Sequence, residues 1–253
     1  MFIHFLYLFK KNIFFTNIAI CKLLFFGWSF LATASIKLDN NEILKKIDEI
    51  RNPSESYEMK IDIQNHDEDF VRSFQVLIKG NNNTLIKTLL PKRDLGRNML
   101  MKGENMWAYI PNLKRAVRVN MAQKLTGQAA IGDICRMRWF GDYKITEKKT
   151  MAKPSGVLRL KLEALKKGLT YDKINAYVSS KTLRPLSAEF LTKSGKPIKK
   201  ATYGDFRAMN GQKRPHKILL EDYTKKDRKS TIRISSQIPK DIPDSLFSQR
   251  SLK

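Results

Sequence analysis

The sequence predicts a mainly β protein with few helices, built as one curved antiparallel sheet with helical segments against its concave side. Three observations predict this. From Tyr57 onward, apolar and polar residues alternate with a period of two through most of the chain, the pattern of strands with one buried face. Turn signals containing Gly and Asn separate these runs at short intervals, as between successive antiparallel strands. Residues 39–51 have instead the spacing of an amphipathic helix.

The elements follow in order. Residues 1–34 contain Lys10, Lys11 and Lys22 and no acid, and an apolar run from Leu23 ends in Ala32-Thr33-Ala34. A basic region, a short apolar stretch and a small-x-small end make a secretory signal, with cleavage expected between Ala34 and Ser35. An uncleaved anchor over Ile13 to Ala34 is the first alternative, although Lys22 falls near its middle. A lipoprotein signal at Cys21 is the second, with bulky Ile20 where a small residue is wanted.

In the helix, Asp39 or Asn40 can cap the start, Ile43, Leu44, Ile47 and Ile50 share a face, and Pro53 ends it. Tyr57, Met59, Ile61 and Ile63 then alternate with polar residues, and Phe70, Phe74, Val76 and Ile78 continue in a second strand beyond His66-Asp67-Glu68. Gly80 to Asn83 turns the chain into a third strand, Thr84 to Leu90. Further turns stand at Gly103, Gly168, Gly195 and Asn210-Gly211. Strand-like runs lie at Val157–Leu162, Tyr171–Val178, Leu186–Leu191, Ile198–Phe206, His216–Tyr223 and Ser230–Ser235. Joined by short turns, these make an antiparallel meander. The stretch from Met121 to Asp142 interrupts it: Ala122 to Ala130 reads as irregular or helical, and Asp133 to Arg138 as a helical turn. The helix and this excursion are the candidates to cover the concave apolar face. No linker or internal repeat divides residues 35–253, so they are expected to form a single domain.

Composition bounds the function. The 253 residues are 42% hydrophobic, enough for a core. The formal charge is +24, and removing the signal lowers it to +21, because three lysines and no acid are lost. Such a field favours anionic partners: nucleic acid, lipid headgroups or acidic proteins. Export argues against nucleic acid. Cys135 would be alone in the mature chain, so no intramolecular disulfide is expected. His66 and His216 are too few and too separated for a zinc site, and no metal or cofactor is expected. There is no P-loop, dinucleotide-binding glycine pattern, G-x-S-x-G or H-E-x-x-H, and the expectation is a protein that is not an enzyme. Arg136 and Arg138 could lower the pKa of Cys135, but a small apolar residue under a cover is the simpler reading.

The most distinctive stretch is Pro91 to Val119. Met99, Leu100, Met101, Met106, Trp107, Tyr109 and Ile110 crowd together, and Lys114, Arg115 and Arg118 follow. Methionine suits surfaces that fit variable apolar ligands. An apolar wall ending in cations suits an acyl chain with an anionic headgroup; ordinary core strands with a basic outer face are the alternative. Alternation places Met99 with Met101 and Trp107 with Tyr109. Both pairs are expected to face inward and line a cavity with Phe74, Val76 and Ile78, leaving Lys114, Arg115 and Arg118 near its rim. A shift of one residue would exchange the two faces.

These residues carry a resemblance. Pro91, Gly96 and Leu100, then Trp107, Tyr109, Pro111, Lys114, Arg115 and Arg118 in a W-x-Y-x-P-x-x-K-R-x-x-R run, resemble the outer-membrane lipoprotein-sorting protein family, whose fold is like that of the periplasmic carrier LolA. Leu183-Arg184-Pro185-Leu186, Ser194-Gly195-Lys196 and Ile242-Pro243-Asp244-Ser245-Leu246-Phe247 extend the resemblance, which spans roughly residues 39–252. The stretch from Gly132 to Arg138 departs from the family pattern: it lacks the serine and the later acid and carries arginines. The resemblance implies a curved antiparallel half-barrel with helices over its concave face. It implies a monomeric periplasmic carrier that takes lipoprotein acyl chains or phospholipid toward the outer membrane, with an inner-membrane transporter and an outer-membrane acceptor as partners. The second reading is a non-catalytic envelope interaction protein, accessory to an inner-membrane exporter, with a filled core.

Overall fold

The computed structural model describes residues 38–253, apart from Ser54, Met121, Arg136, Met137, Lys226 and Asp227. The expected signal, residues 1–34, lies outside the described residues.

Helix α1 (Asn40–Arg51) starts at Asp39, whose side chain accepts the Glu42 amide, an N-cap worth about 1 kcal/mol. Buried Arg214 donates to the carbonyls of Glu49 and Ile50 at its other end. Strands β1 (Ser56–Asn65), β2 (Val71–Lys79), β3 (Asn83–Leu90), β4 (Met99–Lys102), β5 (Asn105–Ile110) and β6 (Arg115–Arg118) form one antiparallel meander. An excursion follows: β7 (Lys124–Thr126), β8 (Ala129–Ala130) and helix α2 (Ile131–Cys135). Strands β9 (Tyr143–Thr150), β10 (Val157–Ala164), β11 (Lys173–Ser179), β12 (Pro185–Leu191), β13 (Pro197–Met209), β14 (Gln212–Asp222) and β15 (Lys229–Pro239) form a second meander.

The two meanders are one sheet, because β1 pairs with β15 as well as with β2. The observed order, β6 to β1 and then β15 to β9, corrects the simple meander read from turns. Turn chemistry reports sequential hairpins; the β1–β15 pair joins segments with no turn between them. The sheet is curved and not closed, with β6 and β9 as its edges. The excursion runs from one edge to the other, which carries it across the concave face.

Three local readings are also corrected. Residues 122–130 are a hairpin, neither irregular nor helical: Lys124 and Thr126 pair with Ala130 and Ala129 around a turn at Gly127, φ +50°. The helical turn begins at Ile131 rather than Asp133. Strand β9 was not anticipated, because after Tyr143 and Ile145 it is Lys- and Thr-rich and carries little alternation, as suits an edge strand.

The main core lies on the concave side. Ile43, Leu44 and Ile47 of α1, with Ile131 and Ile134 of α2, pack on inward residues such as Met59, Ile61, Val76, Leu160, Ile174 and Ile232. A second, smaller cluster lies on the convex side. Ile242, Phe247 and Leu252 of the C-terminal segment cover Leu77, Leu85 and Leu100.

Candidate functional site

The candidate site is the apolar interior between the concave face and its covers. Three polar clusters fasten the covers. On α1, Asp48 Oδ2 accepts the amides of Trp139 and Phe140 at 2.7 and 2.8 Å. Arg51 lies 3.7 Å from the other Asp48 oxygen and stacks on the Trp139 ring at 4.3 Å. Burial pushes the Asp48 carboxyl up to about 6, against the opposing pull of Arg51 and the two amides. On the other side, Asp133 of α2 accepts from Tyr171 Oη at 2.6 Å and Lys199 Nζ at 2.8 Å, and Lys199 also donates to Tyr171. Burial, then the neighbouring Asp133 charge, holds the Tyr171 hydroxyl well above its usual range. The β7–β8 hairpin is held by a third cluster. Asn65 donates to Thr126 Oγ1, Ser230 donates to Asn65, and the Gln128 amide donates to Ser230 Oγ.

Little space is left inside. A cavity of about 40 Å³ lies beneath Arg51 and Trp139, against Tyr143, Tyr171, Phe190 and Tyr203. Ligand pockets run to about 300–1,000 Å³, so an acyl chain enters only if the covers move. A groove of about 430 Å³ opens beside the hairpin, with Phe74, Met99 and Leu125 among its lining and Arg72, Arg93 and Arg97 along its wall. A third depression, about 570 Å³, is lined by Lys45, Glu49, Arg138 and Arg214 together with Pro53 and Phe140.

The sequence-predicted residues divide among these places. Phe74, Val76, Ile78 and Met101 are buried on the concave face, and Met99 packs partly buried beside them. The inward facing expected for Trp107 and Tyr109 is corrected. Leu100 pairs with Trp107 and Met101 with Met106, so Trp107 and Tyr109 point to the convex side and pack on the C-terminal cluster. The physical reason is that both faces of β5 are apolar, so alternation alone leaves the choice open. Lys114 and Arg115 are exposed at one end of the sheet. Arg118 sits farther along β6, opposite Trp107, and donates to Asn105. Sequence reasoning missed Asp48, Arg51, Asp133, Tyr171 and Lys199 as fastening groups. Asp48 and Arg51 carried one signal: both fall on the apolar stripe of α1, where a charged residue needs a partner. Cys135 is buried in the core, and its carbonyl accepts from Thr84 at 2.9 Å.

A family model described as "Uncharacterized protein" matches residues 80–253. No curated protein matches the chain. Among solved structures, the chain is similar to the LolA superfamily protein NE2245 from Nitrosomonas europaea, at 31% identity over 85% of this chain and 99% of that one, with a TM-score of 0.76. It is also similar to an outer membrane lipoprotein-sorting protein domain from Vibrio parahaemolyticus, at 17% identity, 84% and 97% coverage and a TM-score of 0.67. A DUF1329 family protein from Desulfovibrio piger is similar at 19% identity, 85% and 98% coverage and a TM-score of 0.67. At the two lower identities the likeness is one of fold.

Proposed function

The chain belongs to the LolA superfamily, and from that premise we propose that it is a periplasmic carrier: it holds lipoprotein acyl chains or lipid between sheet and covers, carries out no chemistry on them, and moves them toward the outer membrane. The observation that supports this reading best is how the interior is closed. An apolar concave face is covered by short elements tied down at a few polar clusters, not by a second continuous sheet. Such covers can lift without dismantling the sheet's own ladders. Each methylene transferred into the interior contributes about 0.8 kcal/mol, so a long chain can offset the opening of several hydrogen bonds at about 1 kcal/mol each. Phe74 and Met99 would receive the chain at the groove, with Val76, Ile78 and Met101 deeper in. Export through a signal cleaved after Ala34 and a single mature domain belong to the same reading, as do an inner-membrane donor and an outer-membrane acceptor.

A titration with a fluorescent fatty acid, run beside thermal melts, tests it. Wild type binds the probe, and Met101→Glu weakens binding more than folding, because a carboxylate in the interior repels an apolar ligand. The second reading, a non-catalytic envelope interaction protein accessory to an inner-membrane exporter, is favoured by the cavity of only about 40 Å³. A wild type that binds no probe, with Met101→Glu simply melting early, selects that reading.

A further inference from the structure

Among the described residues, eight large hydrophobic side chains are exposed, and five of them gather at one end of the sheet: Val71, Leu89, Leu90, Leu95 and Leu113. The register brings them there. Leu90 pairs with Ser73, two residues from Val71, and Met99 pairs with Ala108, so the β3–β4 connection and the β5–β6 connection share an end. The two connections touch: a Cβ on Gly96 would lie 3.3 Å from Pro111 Cγ. The same connections expose Lys92, Arg93, Arg97, Lys114 and Arg115. Asp94 there is 3.5 Å from Arg97; the adjoining β1–β2 turn before Val71 carries Asp67, Asp69 and Glu68, the last paired with Arg72. The groove beside Phe74 and Met99 opens at this end, since Arg93 and Arg97 stand on its wall.

We infer that this end of the sheet docks on the surface of an anionic phospholipid bilayer. Leu89 and Leu90 end β3, Leu95 stands on the β3–β4 connection and Leu113 on the β5–β6 connection; none lines a depression described above, so they fit a flat partner rather than an inserted peptide. Exposed leucines enter the hydrocarbon boundary while the interspersed lysines and arginines meet the headgroups, the composition of an interfacial anchor. Docking there sets the groove against the lipid from which a chain would be drawn. The docking surface is separate from the interior, and the carrier reading supplies only its purpose.

Co-sedimentation of the full chain with vesicles of phosphatidylglycerol and phosphatidylethanolamine, or of phosphatidylcholine alone, tests the inference. Binding is expected to the anionic vesicles and to weaken at high salt. Lys114→Gln with Arg115→Gln is expected to lower it about thirtyfold, and Leu95→Asp with Leu113→Asp at least about tenfold. Lys148→Gln with Lys149→Gln, the same charge change on the far edge strand, leaves it within about threefold, because these two stand away from the docking end. Residues 1–37 are common to every variant, so differences between variants carry the result. Binding that no loop substitution reduces, or that the β9 control reduces equally, overturns the inference. A wild type that ignores every vesicle composition also overturns it and points to an acidic protein as the partner. Fatty-acid probe binding is unchanged in the Leu95→Asp, Leu113→Asp variant; its absence in wild type, with vesicle docking intact, sinks the carrier reading alone.

Discussion

Gly127→Ala tests how the β7–β8 cover is fastened. Gly127 sits at φ +50°, and an added Cβ would lie 1.7 Å from Asn65 Oδ1 and 2.5 Å from Ser230 Oγ. Both of those residues are buried, so neither side chain can swing into solvent. Two costs follow. A left-handed backbone costs a residue with a Cβ about 1–2 kcal/mol. The clash also breaks the cluster in which Asn65 donates to Thr126, Ser230 to Asn65 and the Gln128 amide to Ser230. Three hydrogen bonds at about 1 kcal/mol each add about 3 kcal/mol. At about 2–4 °C per kcal/mol for a domain of this size, the melting temperature falls by roughly 8–20 °C. Gly103→Ala is the control: φ is +63°, and a Cβ there meets nothing within 4 Å. It carries the backbone cost alone, roughly 2–8 °C. Thermal melts are read beside the association rate of a fluorescent fatty acid, which rises in Gly127→Ala because the loosened hairpin flanks the groove at Phe74 and Met99. Equal losses in the two variants refute the close approach. A large loss with unchanged probe entry refutes the hairpin's role as a cover.

Three further outcomes are expected. Asp48 has a folded pKa of about 6 against an ordinary 3.8, so the native state binds more protons than the unfolded chain between these values. Its contribution is present below the ordinary value and is lost as pH rises through about 6, a difference of about 3 kcal/mol; Asp48→Asn removes this slope from melts taken between pH 4 and 7, and parallel profiles would refute it. Lys199→Met strips the cation from Asp133, whose side chain is 8% exposed; about 3–5 kcal/mol is lost, hydrogen exchange rises through residues 131–142, and Lys199→Arg restores part of both. Phe247→Ala costs about 3–5 kcal/mol by opening a cavity in the convex cluster, yet leaves fatty-acid affinity unchanged; affinity falling in step would place the site on the convex side.

The period of two reports which residues of a strand share a face, and it reads best where the opposite face is polar. In β1, Tyr57, Met59, Ile61 and Ile63 alternate with Glu58, Lys60, Asp62 and Gln64, and the inward set is unambiguous. The α1 helix is equally legible, because Asp39 caps it and its apolar stripe has one orientation. The sequence by itself therefore determined the fold class, the helix and most strands, and the residue pattern behind the family resemblance. Strand β5 lies beyond that reach. Met106 and Ala108 stand against Trp107 and Tyr109, and both sets are apolar.

What chose between the two sets is the C-terminal segment, which brings Ile242 and Phe247 onto the convex side and gives Trp107 and Tyr109 an apolar partner there. The fastening of the covers was decided in the same way. Asp133 and Lys199 are 66 residues apart, and Asp48 lies 91 residues from the Trp139 amide it accepts. No local pattern encodes such pairs. They exist because the β1–β15 pairing joins two meanders into one curved sheet, and the connection between its far edges must then cross the concave face, where buried charges need partners.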